Sequence, residues 1–229
     1  VKTSKEEFIA RISKAIRRNG EGIPSSVPLP EHPEASHVGD CDSFIDLFIE
    51  GITRSRGHGI IASSAAEVTK SLIEILHTHS VHSCILSCSD VLCHEFGLED
   101  LLDKMDIVVV PARAPREELY KADAGITEAA CAIADTGTLV SLSTPREPRS
   151  ASLMPPIHIS IVRAESIVKD LEGAFHKLSN IAFTNGYKRV LTSCISFITG
   201  PSRTADIELS LTLGVHGPKE VYVLIYKTT

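Results

Sequence analysis

The sequence has no Cys-x-x-Cys pair, no apolar run long enough to span a bilayer and no block of basic residues. Each absence removes a class of protein. The six cysteines, Cys41, Cys84, Cys88, Cys93, Cys131 and Cys194, mostly sit inside apolar runs. There a free cysteine packs as a small hydrophobe, and a chain with a real core has no need of a disulfide framework. The closely spaced ligands of a ferredoxin-type cluster are missing too, so the chain is not expected to hold iron–sulfur. A membrane span is excluded by the lack of a long apolar run. The formal charge is −6, with acidic and basic residues interleaved, which argues against a nucleic-acid surface. The stretch Val1–Arg18 is charged and amphipathic, unlike the apolar core of a signal peptide, so the expected compartment is the cytoplasm.

Nucleotide and hydrolase signatures are absent as well. There is no Gly-x-Gly-x-x-Gly after a strand, no phosphate-loop lysine and no Gly-x-Ser-x-Gly turn. No cofactor is therefore expected. The segment His77–Cys84, with Cys88, Cys93 and His94 beyond it, carries zinc-type ligands without the tight Cys or His pairs of a structural site. On a strand, Leu86 falls between the sulfurs of Cys84 and Cys88, and no metal is expected. Arg54–Gly59 could meet a phosphate, but cations at an exposed helix C-terminus account for it equally.

What remains is a chain of 229 residues with 43% hydrophobic content, enough for one well-buried domain. Ser4 and Glu7 form a capping box ahead of Phe8, Ile9, Ile12 and Ile16 at helical spacing. Pro24, Pro28, Pro30 and Pro33 then mark an extended connector. It reads as a solvated linker, or as a lid or an arm reaching another subunit, and a homo-oligomer is left open. Residues 1–40 are thus an N-terminal helix and Pro-rich connector, and 41–229 a single α/β domain.

From residue 42, helix and strand alternate. Helices are expected at about 44–57, 65–79, 92–105, 165–179 and 204–213. Strands are expected at 59–62, 84–86, 107–110, 132–134, 138–142, 157–162, 190–197 and 221–226. Short apolar strands separated by helices imply a mainly parallel sheet covered on both faces.

The densest chemistry lies late in the chain. Gly200-Pro201-Ser202-Arg203-Thr204-Ala205-Asp206-Ile207-Glu208 is followed by Gly214-Val215-His216-Gly217-Pro218. A helix starting here would offer unpaired N–H groups to a small anion, with Ser202, Arg203 and Thr204 as further donors. Asp206 and Glu208 would stand beside them for acid–base work. A second turn, Asp135-Thr136-Gly137-Thr138, offers backbone N–H and hydroxyl groups, and the two loops are expected to converge on one pocket. Its lining would be Asp135, Thr136, Gly137, Thr138, Gly200, Ser202, Arg203, Thr204, Asp206 and Glu208. His216 either joins that lining or caps a turn. Glu128 is a weaker candidate carboxylate.

The Gly200–Glu208 and Gly214–Pro218 segments resemble the C-terminal signature of the lactate utilization protein C family of lactate-utilisation (LUD) domains. Two further stretches fit the same family in order and spacing. They are Ala122–Thr127 running into Ala132–Val140, and Pro155-Pro156-Ile157-His158-Ile159 ahead of Ile161-Val162. One position departs: the family often has Glu where this chain has Asp135, a shorter reach by one methylene. The resemblance implies the fold shared by sugar-phosphate isomerases, glucosamine-phosphate deaminases and coenzyme A transferases. It also implies a component of an L-lactate-oxidising system that works with iron–sulfur partner proteins. The alternative is a stand-alone enzyme acting on a phosphorylated sugar, a coenzyme A ester or a folate.

Overall fold

The computed structural model describes residues 41–144, 147–184, 192, 194–205, 211–213 and 217–227. The N-terminal helix and connector expected over residues 1–40 lie outside them, as do Asp206, Glu208 and His216.

Six strands form a wholly parallel sheet. They are β1 (His58–Ala62), β2 (Ser83–Ser87), β3 (Val108–Val109), β4 (Ala124–Glu128), β7 (Ile157–Arg163) and β12 (Glu220–Tyr226), in the order β1-β12-β7-β4-β2-β3. The α/β class with a mainly parallel sheet flanked by helices is what the alternation implied. Strand alternation sorts its faces. Ile157, Ile159 and Ile161 of β7, with Ile126 of β4 and Leu224 of β12, meet three helices on one side. These are α2 (Ala65–Thr78), α3 (Asp90–Phe96) and α4 (Leu98–Lys104), which contribute Val68, Leu72, Leu76, Leu92, Leu98 and Leu102.

The other face is covered in two pieces. Over β12, Ile45, Phe48 and Ile52 of α1 (Cys41–Arg54) pack with Val221, Val223 and Ile225. Over β2, Ala151 and the residues around α5 (Arg116–Leu119) bury Ile85. Between the two pieces the central strands turn polar: Thr127, His158 and Ser160 are at most 5% exposed. A buried parallel strand is ordinarily apolar on both faces, so this polar strip stands out.

A second sheet of four strands joins the α1 side, in the order β8-β5-β6-β9. Its members are β5 (Cys131–Ile133), β6 (Thr138–Leu142), β8 (Ile167–Val168) and β9 (Ile195–Ile198), with β5–β6 and β6–β9 antiparallel.

Several elements differ from the sequence expectation, each for a local reason. The helix expected over 92–105 is two, broken at Gly97, whose φ of +56° caps α3 through bonds to Cys93 and His94 carbonyls. The strand expected at 107–110 shrinks to Val108–Val109 at the sheet edge, both residues exposed. Residues 165–179 begin as a 3-10 turn and strand β8, and helix α7 runs Leu171–Thr184, with Asp170 accepting from the Gly173 amide. Strand β4 was not expected at all, because Ala-Gly-Ile-Thr-Glu carries one large apolar residue. The largest correction is at the C-terminal signature. Instead of a helix over 204–213 there are two strands, β10 (Arg203–Ala205) and β11 (Leu211–Leu213), paired antiparallel with Thr204 opposite Thr212. β-Branched threonine fits a pleated strand better than a helix.

Candidate functional site

The two loops singled out in the sequence do meet, at the end of α1. The β5–β6 turn closes with the Gly137 amide donating to the Ala134 carbonyl at 3.2 Å, and Gly137 has φ +62°. Helix α1 crosses this turn backbone to backbone. A Cβ on Gly137 would stand 2.1 Å from the Ile52 nitrogen, and one on Gly51 2.6 Å from the Gly137 nitrogen. The hydroxyls of Thr136, Thr138 and Thr199 form a chain with spacings of 2.7 Å. Gly200, at φ +75°, presses on the Ser55 carbonyl, and the Arg203 guanidinium donates to that same oxygen. The Ser202 amide donates to the Pro218 carbonyl at 2.9 Å, and Gly217 lies against the Ser202 side chain. Asp135 is exposed, its amide bonded to the Lys169 carbonyl at 3.0 Å.

With a strand in place of a helix at Arg203–Ala205, these loops present no row of helical N–H groups to an anion. The same side chains now have structural employment. The threonine hydroxyls satisfy one another, and Arg203 binds a carbonyl that the end of α1 leaves unpaired. Arg203→Ala is therefore expected to destabilise the fold by about 1 kcal/mol. That corresponds to roughly 2–4 °C in a chain of this size, read by thermal circular dichroism. An unchanged melting temperature would show that the cap contributes nothing.

A second constellation lies at the opposite end of β6. Ser87 ends β2, and Thr127 and Glu128 end β4, so these residues stand at the carboxyl ends of adjacent parallel strands. That is where ligands of open α/β sheets bind. With Ser141 and Ser196, paired across β6 and β9, they line a small cavity of about 20 Å³. Ser143, Glu147, Arg149 and Ser152 complete its wall; Ser152 belongs to the short helix α6 (Ser150–Leu153).

The geometry of that wall is specific. Glu128 accepts from the Ser89 amide at 3.1 Å, and Ser89 also caps α3 by accepting from the Leu92 amide. Glu147 is held in a tight turn with Thr144, whose hydroxyl reaches its carboxylate at 3.4 Å. Burial, and after it the Glu128 charge, raise the Glu147 carboxyl above its ordinary range. Behind the cavity, Thr127 bonds His158 Nε2 at 2.8 Å and donates to Ser160 at 3.3 Å. When the threonine proton goes to Ser160, His158 donates through Nε2 and Nδ1 is left as an acceptor. Burial pushes the imidazole down to about 4, so it is neutral at pH 7. Among the described residues, His158 Nδ1 and Ser141 Oγ are buried with no hydrogen-bond partner. Orphaned buried polar atoms are rare in folded proteins and ask for an explanation.

Glu128 therefore carries more weight than sequence reasoning gave it, and the serines, Glu147 and Arg149 were missed. One signal was available. In Ile157-His158-Ile159-Ser160-Ile161 the polar residues alternate with isoleucines on a strand that ought to be apolar on both faces.

The matched regions coincide with this architecture. The profile of the LUD domain matches residues 45–226. The chain belongs to the LUD domain family. It is 39% identical to Lactate utilization protein C of Bacillus subtilis, covering 97% of this chain and 96% of that one. The protein of the same name from Halalkalibacterium halodurans is 32% identical over 96% of this chain and 97% of its own. The crystal structure of a DUF162 family protein from Deinococcus radiodurans superimposes with a TM-score of 0.60. It is 20% identical and covers 82% of this chain and 99% of that one, a likeness of fold.

The cysteines of this LUD domain divide by environment. Cys84 and Cys131 are fully buried, and burial raises their thiols to about 12 and about 11. Cys93 Sγ donates to the Cys88 carbonyl at 4.0 Å and Cys88 Sγ to the Ile126 carbonyl at 3.7 Å. The interaction of the two neighbouring thiols holds Cys93 below its ordinary value and, with burial, Cys88 above it. The thiolate is the nucleophile, so iodoacetamide is expected to modify Cys93 before Cys88, Cys84 or Cys131. Peptide mass spectrometry over a short time course reads the order, and Cys84 or Cys131 leading would contradict these environments.

Among the described residues no three His, Cys, Asp or Glu side chains gather as a metal site. The segment that carried zinc-type ligands is dispersed, with Cys84 in the core and His79 bonded to the Tyr222 hydroxyl at 2.8 Å. No described helix is long and apolar enough to cross a membrane.

Proposed function

We propose that this LUD domain serves L-lactate utilisation in the cytoplasm, as a subunit that carries no redox centre and works with iron–sulfur partner proteins. The observation that carries this reading is the similarity to Lactate utilization protein C of Bacillus subtilis along nearly the whole of both chains. Oxidising lactate to pyruvate moves two electrons, which cofactors and not side chains ordinarily accept. The donor set here supports placing that acceptor elsewhere. Two cysteines are buried as thiols in separate apolar clusters, and the sequence has no flavin or nicotinamide motif.

Deleting the gene is expected to abolish growth on L-lactate and to spare growth on glucose. Normal growth of the deletion strain on lactate, with no second copy present, removes the pathway assignment. The purified chain is expected to be colourless, and a tagged copy to retrieve iron–sulfur proteins from lactate-grown cells. A flavin or cluster absorbance in stoichiometric amount overturns the non-redox part.

A further inference from the structure

The cavity at the carboxyl ends of β2 and β4 has a polarity that packing does not require. Apolar residues of similar volume would close the seam between the two sheets more favourably than a wall of serines and carboxylates that leaves the Ser141 hydroxyl unpaired among the described residues. Its side chains are also unequal in what they have left to give. Arg149 lies at the exposed rim, and its guanidinium meets the Cys194 sulfur at 3.9 Å, a weak acceptor that leaves its charge available. Glu128 and Glu147 share the cavity wall, each fixed by a hydrogen bond of its own. Ser141 Oγ, buried and without a partner among the described residues, lines the same space.

That set selects by charge and by size. A guanidinium receives a carboxylate or a phosphate in a fork. Two carboxylates nearby repel a phosphate dianion, whereas a monoanion facing Arg149 meets less opposition. A carboxylate on the wall accepts from a hydroxyl, and Ser141 and Ser196 can donate or accept beside it. The enclosed part of the cavity, about 20 Å³, admits one or two heavy atoms, so the hydroxyl end of a ligand enters it while its carboxylate stays at the open rim with Arg149. This excludes a bulky ester chain from the polar wall.

We propose that this cavity binds a small monocarboxylate bearing a hydroxyl next to its carboxylate, Arg149 receiving the carboxylate and the Glu128–Glu147 wall the hydroxyl. The choice of lactate as probe rests on the lactate-utilisation reading; the ligand class rests on the cavity's own side chains. Ser141 supplies a further hydrogen bond. The neutral His158 holds Thr127 in place behind it and acts as a positioning residue.

The full chain is titrated calorimetrically with L-lactate, with propionate, which lacks the hydroxyl, and with inorganic phosphate. L-Lactate is expected to bind at least about tenfold more tightly than either. Arg149→Gln is expected to weaken lactate at least about tenfold, with its melting temperature kept because the side chain is exposed. Ser141→Ala is expected to weaken binding a few-fold without loss of stability, since it deletes an unsatisfied hydroxyl. Arg203→Ala, at the far end of β6, is expected to leave lactate binding unchanged. No lactate binding, equal binding of propionate, tighter binding of phosphate, or an Arg149→Gln protein that binds as well as the parent each overturns the proposal. The pathway reading fails separately. A deletion strain that loses lactate growth while its protein binds no lactate sinks the site alone, and a protein that binds lactate in a strain growing normally sinks the pathway alone.

Discussion

Gly137→Ala is expected to destabilise the fold by at least about 3 kcal/mol, from two effects that add at one atom. The first is conformational. Gly137 holds φ at +62°, where an L side chain meets its own backbone. The second is contact. The new methyl would stand 2.1 Å from the Ile52 nitrogen and 2.3 Å from the Gly51 carbonyl carbon, both of them helix backbone. Helix backbone cannot rotate away as a side chain does, so either α1 or the β5–β6 turn must move. Such a move would disturb Phe48 and Ile52, which are fully buried between the two sheets. Denaturant unfolding followed by far-UV circular dichroism suits a chain that has no tryptophan.

Two companion variants separate the contributions. Gly97→Ala carries the same kind of strain, φ +56°, with nothing within 4 Å of the new methyl, so it isolates the conformational cost at about 1 kcal/mol. Gly51→Ala has helical geometry and isolates the contact, its methyl falling 2.6 Å from the Gly137 nitrogen. Because Gly51 and Gly137 face each other across one crossing, their effects are expected to be less than additive when combined. If Gly137→Ala costs no more than Gly97→Ala, the crossing is looser than the backbone distances imply.

This crossing also shows why the sequence was informative about some features and silent about others. Thr136-Gly137-Thr138 was visible as a turn between two short strands, because turn chemistry is local. Its partner was not visible, since Gly51 lies in an ordinary amphipathic helix and meets Gly137 only through the tertiary fold. The parallel sheet was legible in the same way from its short apolar strands, while β4, with its small residues, was not. The C-terminal signature misled for a related reason. Gly-Pro-Ser-Arg-Thr reads as a helix start when taken alone, and β10 is a strand because β11 pairs with it. At the polar cavity, the contributing residues come from β2, β4, β6, β9, the loop before α6 and α6 itself. No single window of sequence holds more than a few of them. Only the polar residues of β7, alternating with isoleucine, announced that seam.

That seam carries the second large effect. The buried imidazole of His158 is expected to make the protein lose roughly 3 kcal/mol of stability between pH 6.5 and pH 4. In the unfolded chain the side chain takes up a proton near its ordinary 6.5, while burial in the fold holds that event down to about 4. Above pH 6.5 the imidazole is neutral in both states, and its contribution is complete. As the pH falls through the interval, the unfolded state binds the proton and the folded state does not, so unfolding gains about 1.4 kcal/mol per unit. Below 4 both states are protonated and the loss levels off. The raised carboxyl of Glu147 acts in the opposite sense: its favourable effect is present at low pH and fades as pH rises through its folded value. His158→Gln keeps a polar side chain on β7 and removes the titration. The variant is expected to be less stable than the parent at pH 7, having lost the fit to Thr127, and the gap is expected to close by about 3 kcal/mol as pH falls to 4. Carboxylates that titrate in the same range are common to both proteins and cancel in the difference. Parallel stability curves for the two proteins across pH 4–7 would mean that His158 is not held neutral, and that the bare Nδ1 behind the cavity finds a proton or a partner of its own.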